Sequence, residues 1–355
     1  MNKLLKSFQP IKCAASDTRF NESFEGIKVD YGIGKEGDLV LVEVLSNSGA
    51  YSEIENLDGR SMKLYIGQKF IAVLGNRESS KNLVGGIPAE GINITDNTIL
   101  HLLTNGGIVG YCKSSPYYMG EPLSLKCVGL LKREDKVLNT ADNVGDWCEE
   151  LGETTPILLI AGTATDAGKT TLTSNIISIL SNKYNLELAG TKLAGTGCLE
   201  DVLQHKDAGA KWVMDFPDVG LPSTYTSPER YKKGIRTLLN RLNKKEPDLI
   251  VAELGGDIIW ANIPTLLTMP DVMKNVIGIV LVPLDILGVI GSFSLFEKWE
   301  VTTPVHLVNS PFRNTYASQI RNEKYVGVKS YDPTNEEDVN NLVEQILSNS
   351  LVRQV

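Results

Sequence analysis

The feature that most constrains this chain is a junction near its middle. An apolar run, PILLI (156–160), leads into a glycine-bounded polar loop, AGTATDAGKTT (161–171), and then directly into a helix-patterned segment, LTSNIISIL (172–180). Strand, tight loop and helix in that order form the opening unit of a parallel sheet covered by helices. The pattern after the junction agrees. Apolar runs at 156–162, 186–193, 248–254, 276–283, 304–309 and 324–328 read as strands. Helical stretches separate them. In SPERYKKGIRTLLNRLNKK (227–245), Ser227 suits the N-cap and Pro228 the first helical position, while Ile235, Leu238, Leu239 and Leu242 form one apolar stripe. The last segment, 335–351, opens with acidic residues, as the helix dipole favours. The expectation for 150–355 is an α/β domain with a mostly parallel sheet and helices on both faces.

The preceding 145 residues have another rhythm. DLVLVEVL (38–45), SMKLYIGQKFIAVLG (61–75), GIVGYC (107–112) and SLKCVGLLK (124–132) are short and alternating, with glycine turns such as LDGR (57–60) between them. The segment GGIPAEGINI (85–94) reads as a long loop. An all-β barrel or sandwich is expected here, and it carries no recognisable chemical motif. The polar stretch 138–155 joins the two halves.

Composition narrows the function classes. With 42% apolar and 22% charged residues, the chain is of ordinary globular type, and its formal charge of -8 argues against nucleic-acid or anionic-membrane partners. The first twenty residues lack the apolar core of a signal peptide, and no run is long enough for a membrane helix, so a cytoplasmic location is expected. Cys13, Cys112, Cys127, Cys148 and Cys198 are scattered, which suggests reduced thiols, neither a disulfide frame nor a zinc site. His101, His205 and His306 are widely separated and read as packing or surface residues.

The loop at the junction lies where ligands of open α/β sheets bind, outside the carboxyl end of a strand. Backbone N–H groups of the turn and the positive end of the following helix suit phosphate oxygens. Gly168 permits close approach, Lys169 can bridge β- and γ-phosphates, the Thr170 hydroxyl can ligate Mg²⁺, and Thr171 can reach the α-phosphate. The residues assigned to the nucleotide are therefore Gly162, Thr163, Thr165, Asp166, Ala167, Gly168, Lys169, Thr170 and Thr171. Thr163 stands where the usual G-x-x-x-x-G-K-[ST] pattern has its first glycine, which here is displaced upstream to Gly162.

In this detail GTATDAGKTT resembles the loop of the dethiobiotin synthetase family, P-loop enzymes that form amides or carboxylate small molecules. The segment GTKLAGTGC (190–198) is similar to that family's second motif, with Leu193 in place of its proline, and VAELGGD (251–257) is similar to its third, one residue shorter in glycine spacing. The resemblance implies a catalytic role for Lys192 beside Lys169, a substrate-side role for Thr196, and Mg²⁺ held by Thr170 and Glu253. DAGAKWVMDF (207–216) is similar to the DUF1611 family, which adds Asp215 as an acidic residue near the metal. The implied reaction uses ATP and Mg²⁺ to phosphorylate a carboxylate or carbamate, which an amine then captures. Relatives with sites at dimer interfaces imply a homodimer.

Bland alternatives stand beside these. Lys192 can be a solvated strand-end lysine, Asp215 and Asp218 fit a turn in MDFPDVG, and Asn309 fits a plain turn. His205 and Lys206 could face a substrate. Glu253, at the end of an apolar strand, is costly without a partner, which favours a functional role. Rival functions are a kinase acting on a hydroxyl, a nucleotide-switch ATPase or GTPase, and a binding module with a degenerate loop. The sequence lacks an Asn-Lys-x-Asp guanine pattern, which leaves ATP as the default nucleotide.

Overall fold

The computed structural model describes residues 3–4, 14–20, 23, 25–46 and 49–352; Cys13 lies outside them. Its contacts divide the chain into two units. One comprises Met1–Trp147, Thr196–Glu200 and Phe216–Ser227, and the other Cys148–Gly195, Asp201–Asp215 and Pro228–Val355.

In the first unit, alternating apolar residues build a barrel. The strand Ser124–Arg133 pairs with Leu39–Val44, which pairs with Lys69–Leu74, then Ile108–Ser114, then Ile99–Leu102, which returns to Ser124–Arg133. This closed ring leaves no free edge among its five strands. Four of its pairings are antiparallel, and that of Lys69–Leu74 with Ile108–Ser114 is parallel. The period of two sends Val40, Val42, Phe70, Ala72 and Leu102 into one apolar cluster and Leu39, Leu41, Ile71 and Val73 into another. The expected single strand at 61–75 is two, Ser61–Lys63 and Lys69–Leu74. The expected loop at 85–94 instead contributes Val84–Gly86 and Ile92–Ile94 to sheets.

Two excursions from the later sequence belong to this unit. Thr196 bridges Ser223, Gly197 donates its N–H to the Pro222 carbonyl, Thr140 Oγ1 donates to the Gly220 carbonyl at 3.1 Å, and Trp147 Nε1 to the Val219 carbonyl at 2.9 Å.

The second unit is the α/β domain. Its strands are β1 (Ile157–Gly162), β2 (Leu188–Ala194), β3 (Trp212–Asp215), β4 (Leu249–Leu254), β5 (Val276–Val282), β6 (Val305–Val308) and β7 (Ser330–Tyr331). They lie in the order β3-β2-β4-β1-β5-β6-β7, and every pairing is parallel. The main helices are α1 (Lys169–Tyr184), α2 (Leu199–Asp207), α3 (Pro228–Asn243), α4 (Ile263–Leu267), α5 (Pro270–Met273), α6 (Ile286–Lys298), α7 (Thr315–Val326) and α8 (Glu336–Val352). Burial on both faces explains why β1, β2, β4 and β5 are solvent-shielded along their whole length. The expected strand at 324–328 is instead the end of α7, closed by Gly327 in the left-handed region at φ 71°, with its N–H on the Glu323 carbonyl. None of the helices among the described residues is long and apolar enough to cross a membrane.

Strand order reverses around β1. Its successor β2 lies two places away on one side, beyond β4, while β5 adjoins it on the other. The crevice outside the carboxyl end of β1 is thus the topological switch point, where such sheets bind ligands.

Candidate functional site

The loop between β1 and α1 occupies that crevice. Helix α1 begins at Lys169 with Gly168 as its N-cap at φ 102°, and no side chain caps it. The first-turn N–H groups therefore have no helical carbonyl to serve them. A Cβ at Gly168 would meet Pro311 at 2.7 Å, in a backbone conformation that glycine alone tolerates well. A Cβ at Gly162 would press on the Lys169 stem at 3.0 Å. The displaced first glycine thus lets the lysine fold back over the loop. Ala167 is fully buried, Thr165 is half-buried, and Asp166 and Thr171 are exposed.

Thr163 anchors the start of the loop. Its Oγ1 accepts the Leu284 N–H at 2.9 Å and its own N–H points to the Val282 carbonyl at 3.3 Å. The residue ties the loop to the end of β5 through its hydroxyl oxygen and its N–H, contacts that do not use the O–H as a donor.

Lys169 is buried, and its Nζ donates to the carbonyls of Ala164 and Gly256, each at 2.8 Å. Burial pushes its pKa down, against the opposing pull of Glu253. Two carbonyls are weak compensation for a buried ammonium, and a phosphate oxygen in their place would give a charge-assisted bond.

Thr170 Oγ1 donates to Glu253 Oε1 at 2.8 Å, and His205 Nε2 stands 3.4 Å from Glu253 Oε2. Burial pushes Glu253 up, but the His205 hydrogen bond and field, with Lys192 and Lys169, outweigh it and hold the carboxyl below its ordinary value. Glu253 is therefore an anion at neutral pH, one strand from the loop, with the first helical hydroxyl on it. Hard oxygen donors of this kind fit Mg²⁺, which takes one or two protein oxygens together with substrate phosphates. Among the described residues no group of three or more His, Cys, Asp or Glu side chains could hold a metal by itself.

Register sets the rest of the site. Ile160 pairs with Glu253, Glu253 with Lys192, and Lys192 with Asp215, so one row runs across β1, β4, β2 and β3. Lys192 is 7% exposed and forms an ion pair with Asp201 of α2. It is thus a buried, paired group beside Glu253, and the solvated reading is excluded. Asp215 is buried two strands from Glu253, about 10 Å at the usual strand spacing, with Lys192 between. It is therefore not adjacent to the Thr170–Glu253 pair, being separated from Glu253 by the β2 strand that carries Lys192. Thr196 bridges Ser223 and belongs to the barrel-containing unit. Asn309 is buried, and its Oδ1 accepts from Asn322 Nδ2 at 3.0 Å, so it is no surface turn residue.

The sequence offers His205 only as a packing, surface or substrate-facing residue and gives Asp201 no role. Both lie on α2, four residues apart, and thus on one helical face. That spacing was the available signal, but only pairing of β2 with β4 shows what the face meets.

No protein-family model matches the sequence, and neither does any curated protein. Among solved structures, a plasmid partition protein from Borrelia burgdorferi B31 bound to AMPPNP is 15% identical, with 57% of this chain and 100% of that one covered at a TM-score of 0.38. The signal recognition particle receptor FtsY from Elizabethkingia anophelis is 13% identical over 60% and 75% of the two chains, at a TM-score of 0.36. A ParA family ATPase from Chlorobium tepidum TLS is 13% identical over 56% and 92%, at 0.33. On its own geometry, a parallel sheet with a glycine-bounded loop, lysine and uncapped helix at the switch point, the α/β unit has the P-loop NTPase fold.

Proposed function

We propose that this chain is a magnesium-dependent nucleoside triphosphatase that cleaves the β–γ phosphate bond. The Thr170–Glu253 hydrogen bond carries this reading. It sets a helix-start hydroxyl and a buried carboxylate together beside an uncapped helix N-terminus, leaving a hard-oxygen corner next to an anion cradle.

Phosphoryl transfer asks for alignment and charge neutralisation, with little covalent help. Lys169 exchanges its two carbonyl acceptors for β- and γ-phosphate oxygens. The first-turn N–H groups of α1 bind the remaining oxygens, and Glu253 and Thr170 supply the metal's protein ligands. When bound, Mg²⁺ neutralises charge on the β- and γ-oxygens. Lys192, one strand beyond Glu253 in the same charged row and paired with Asp201, helps hold Glu253 ionised.

The second reading is a synthetase in which the γ-phosphoryl goes to a carboxylate or carbamate, giving an acyl phosphate that an amine attacks. One observation favours it: the buried Lys192, held beside Glu253, exceeds what hydrolysis requires.

Calorimetric titration of Mg·ATP and Mg·GTP into the wild type and Lys169→Ala, with phosphate release followed in parallel, tests both. Binding lost in the variant, with phosphate released in the absence of any acceptor, supports the hydrolase. Phosphate release that depends on added carboxylates and amines supports the synthetase, and label retained on a hydroxyl would mean a kinase. Failure of the wild type to bind either nucleotide overturns the proposal.

A further inference from the structure

We infer that His205 is a positioning residue that donates its Nε2–H to Glu253 and fixes which carboxylate oxygen is presented to the metal. The inference rests on the nucleotide-site reading and assigns a role to a residue outside the loop.

Four observations converge on it. His205 is completely buried, so its polar atoms have no water to serve them. Its Nε2 lies 3.4 Å from Glu253 Oε2, while Glu253 Oε1 accepts the Thr170 hydroxyl, so the two carboxylate oxygens have separate partners. A carboxylate can only accept, so Nε2 is the donor in this contact. Nδ1 has no hydrogen-bond partner among the described residues. The Nε2 contact with Glu253 is thus the ring's hydrogen bond among the described residues.

The backbone makes room for the ring. A Cβ at Gly190 would meet His205 Cβ at 2.8 Å and Nδ1 at 3.2 Å. Gly190 lies in β2, two residues before Lys192 and on the same face. Helix α2 brings His205 over this gap and, one turn earlier, Asp201 over Lys192. One helical face thus engages both charged strand-end residues, the Glu253 carboxylate and the Lys192 ammonium.

A carboxylate free to rotate presents either oxygen and pays rotamer entropy on binding a metal. One held by a second partner does not, and loss of such outer partners typically weakens metal affinity about 10- to 100-fold. A histidine acting only as packing would leave metal affinity unchanged when replaced by a residue of similar volume.

The test measures binding, not turnover. Calorimetry with a non-hydrolysable triphosphate analogue across a magnesium series gives the metal half-saturation for wild type, His205→Leu, His205→Gln and Gly190→Ala. Leucine keeps bulk without a donor, glutamine keeps a donor, and alanine at 190 displaces the ring while leaving the imidazole in the chain. The expected result is a half-saturation raised about 10- to 100-fold in His205→Leu, restored to within a few-fold of wild type in His205→Gln and raised again in Gly190→Ala, with metal-free analogue binding unchanged. Unchanged metal dependence in a folded His205→Leu overturns the inference, as does equal impairment in the leucine and glutamine variants. If His205→Leu does not fold, Gly190→Ala decides by the same criterion. Absence of analogue binding in the wild type would overturn the nucleotide-site reading, whereas a variant-only failure bears on His205 alone.

Discussion

Both units bury charged side chains, but they satisfy them in different ways. In the barrel-containing unit the partners are largely backbone. Glu55 accepts the N–H groups of Leu199 and Glu200 at 2.6 and 2.7 Å, and buried Arg77 donates to the Leu103 carbonyl and to Tyr51 Oη. Asp38 accepts from the Lys35 N–H and Asn139 Nδ2. Each of these charges completes a fold contact. In the α/β unit, Lys169, Lys192 and Glu253 at the carboxyl ends of strands and Asp201 and His205 on α2 are gathered on one another, and the Lys169 ammonium donates to two carbonyls among the described residues. Buried charge is expensive in either place. Where backbone groups satisfy it, the charge builds structure; where charges are concentrated around an uncapped helix end, they are arranged for a ligand.

The contrast can be broken most decisively at Lys169. Replacement by methionine is expected to lower nucleotide turnover by about 100- to 1,000-fold, the usual cost of losing one transition-state donor. Stability should not fall with it: the Ala164 and Gly256 carbonyls lose a donor, which carbonyls tolerate better than N–H groups do, and the desolvation cost of the ammonium is removed. The Lys169 pKa lies below its ordinary value, so the folded state disfavours the charged amine, and at neutral pH the lysine detracts from stability. That penalty is present below the folded pKa and fades as pH rises through it. Urea midpoints of wild type and Lys169→Met should therefore favour the variant at pH 7 and converge at high pH. A clearly less stable variant at pH 7 would mean the lysine is a structural charge like Glu55.

Glu55 is the converse test. Glu55→Ala leaves two buried N–H groups without their acceptor and is expected to destabilise the protein by about 1–3 kcal/mol, read from the denaturant midpoint. A neutral result would remove the distinction drawn between the two sets of charges.

The smallest effect is at Cys127, an uncharged polarizable group in the barrel core. Burial pushes its thiol up to about 12, so the folded state holds the proton. Its contribution to stability is complete below the ordinary thiol pKa and is lost as pH rises from there toward 12. In native protein at pH 8, thiol reagents should modify the half-buried Cys148 and Cys198 while sparing Cys127, as mass spectrometry of the peptides would show. Rapid native modification of Cys127 would mean that the barrel opens readily.

The legible parts of the sequence were those in which local pattern and tertiary role coincide. The runs at 157–162, 249–254 and 276–282 are apolar throughout because the sheet buries them on both faces, and they were readable for that reason. Residues 324–328 misled because the short run with Tyr325, Val326 and Val328 has strand-favouring side chains, which outweighed the glycine that here caps α7. The edge strand Trp212–Asp215 was missed because four residues with a terminal aspartate resemble a turn. Thr163 was placed on the phosphate by its position in the motif; that its hydroxyl oxygen also accepts the Leu284 N–H and ties the loop to β5 needed the tertiary structure.

The sequence by itself determined the order of strand, glycine-bounded loop and helix, the lysine and threonine at the helix start, and the unusual carboxylate at 253, because these depend on residue type and short spacing. The tertiary structure alone decided that the Glu253, Lys192 and Asp215 strands lie in one row, that α2 lays Asp201 and His205 over it, and that 196–200 and 216–227 group with the barrel-containing unit. Pairing between strands far apart in the chain is set by the burial and hydrogen bonding of the whole sheet, and no local pattern encodes it.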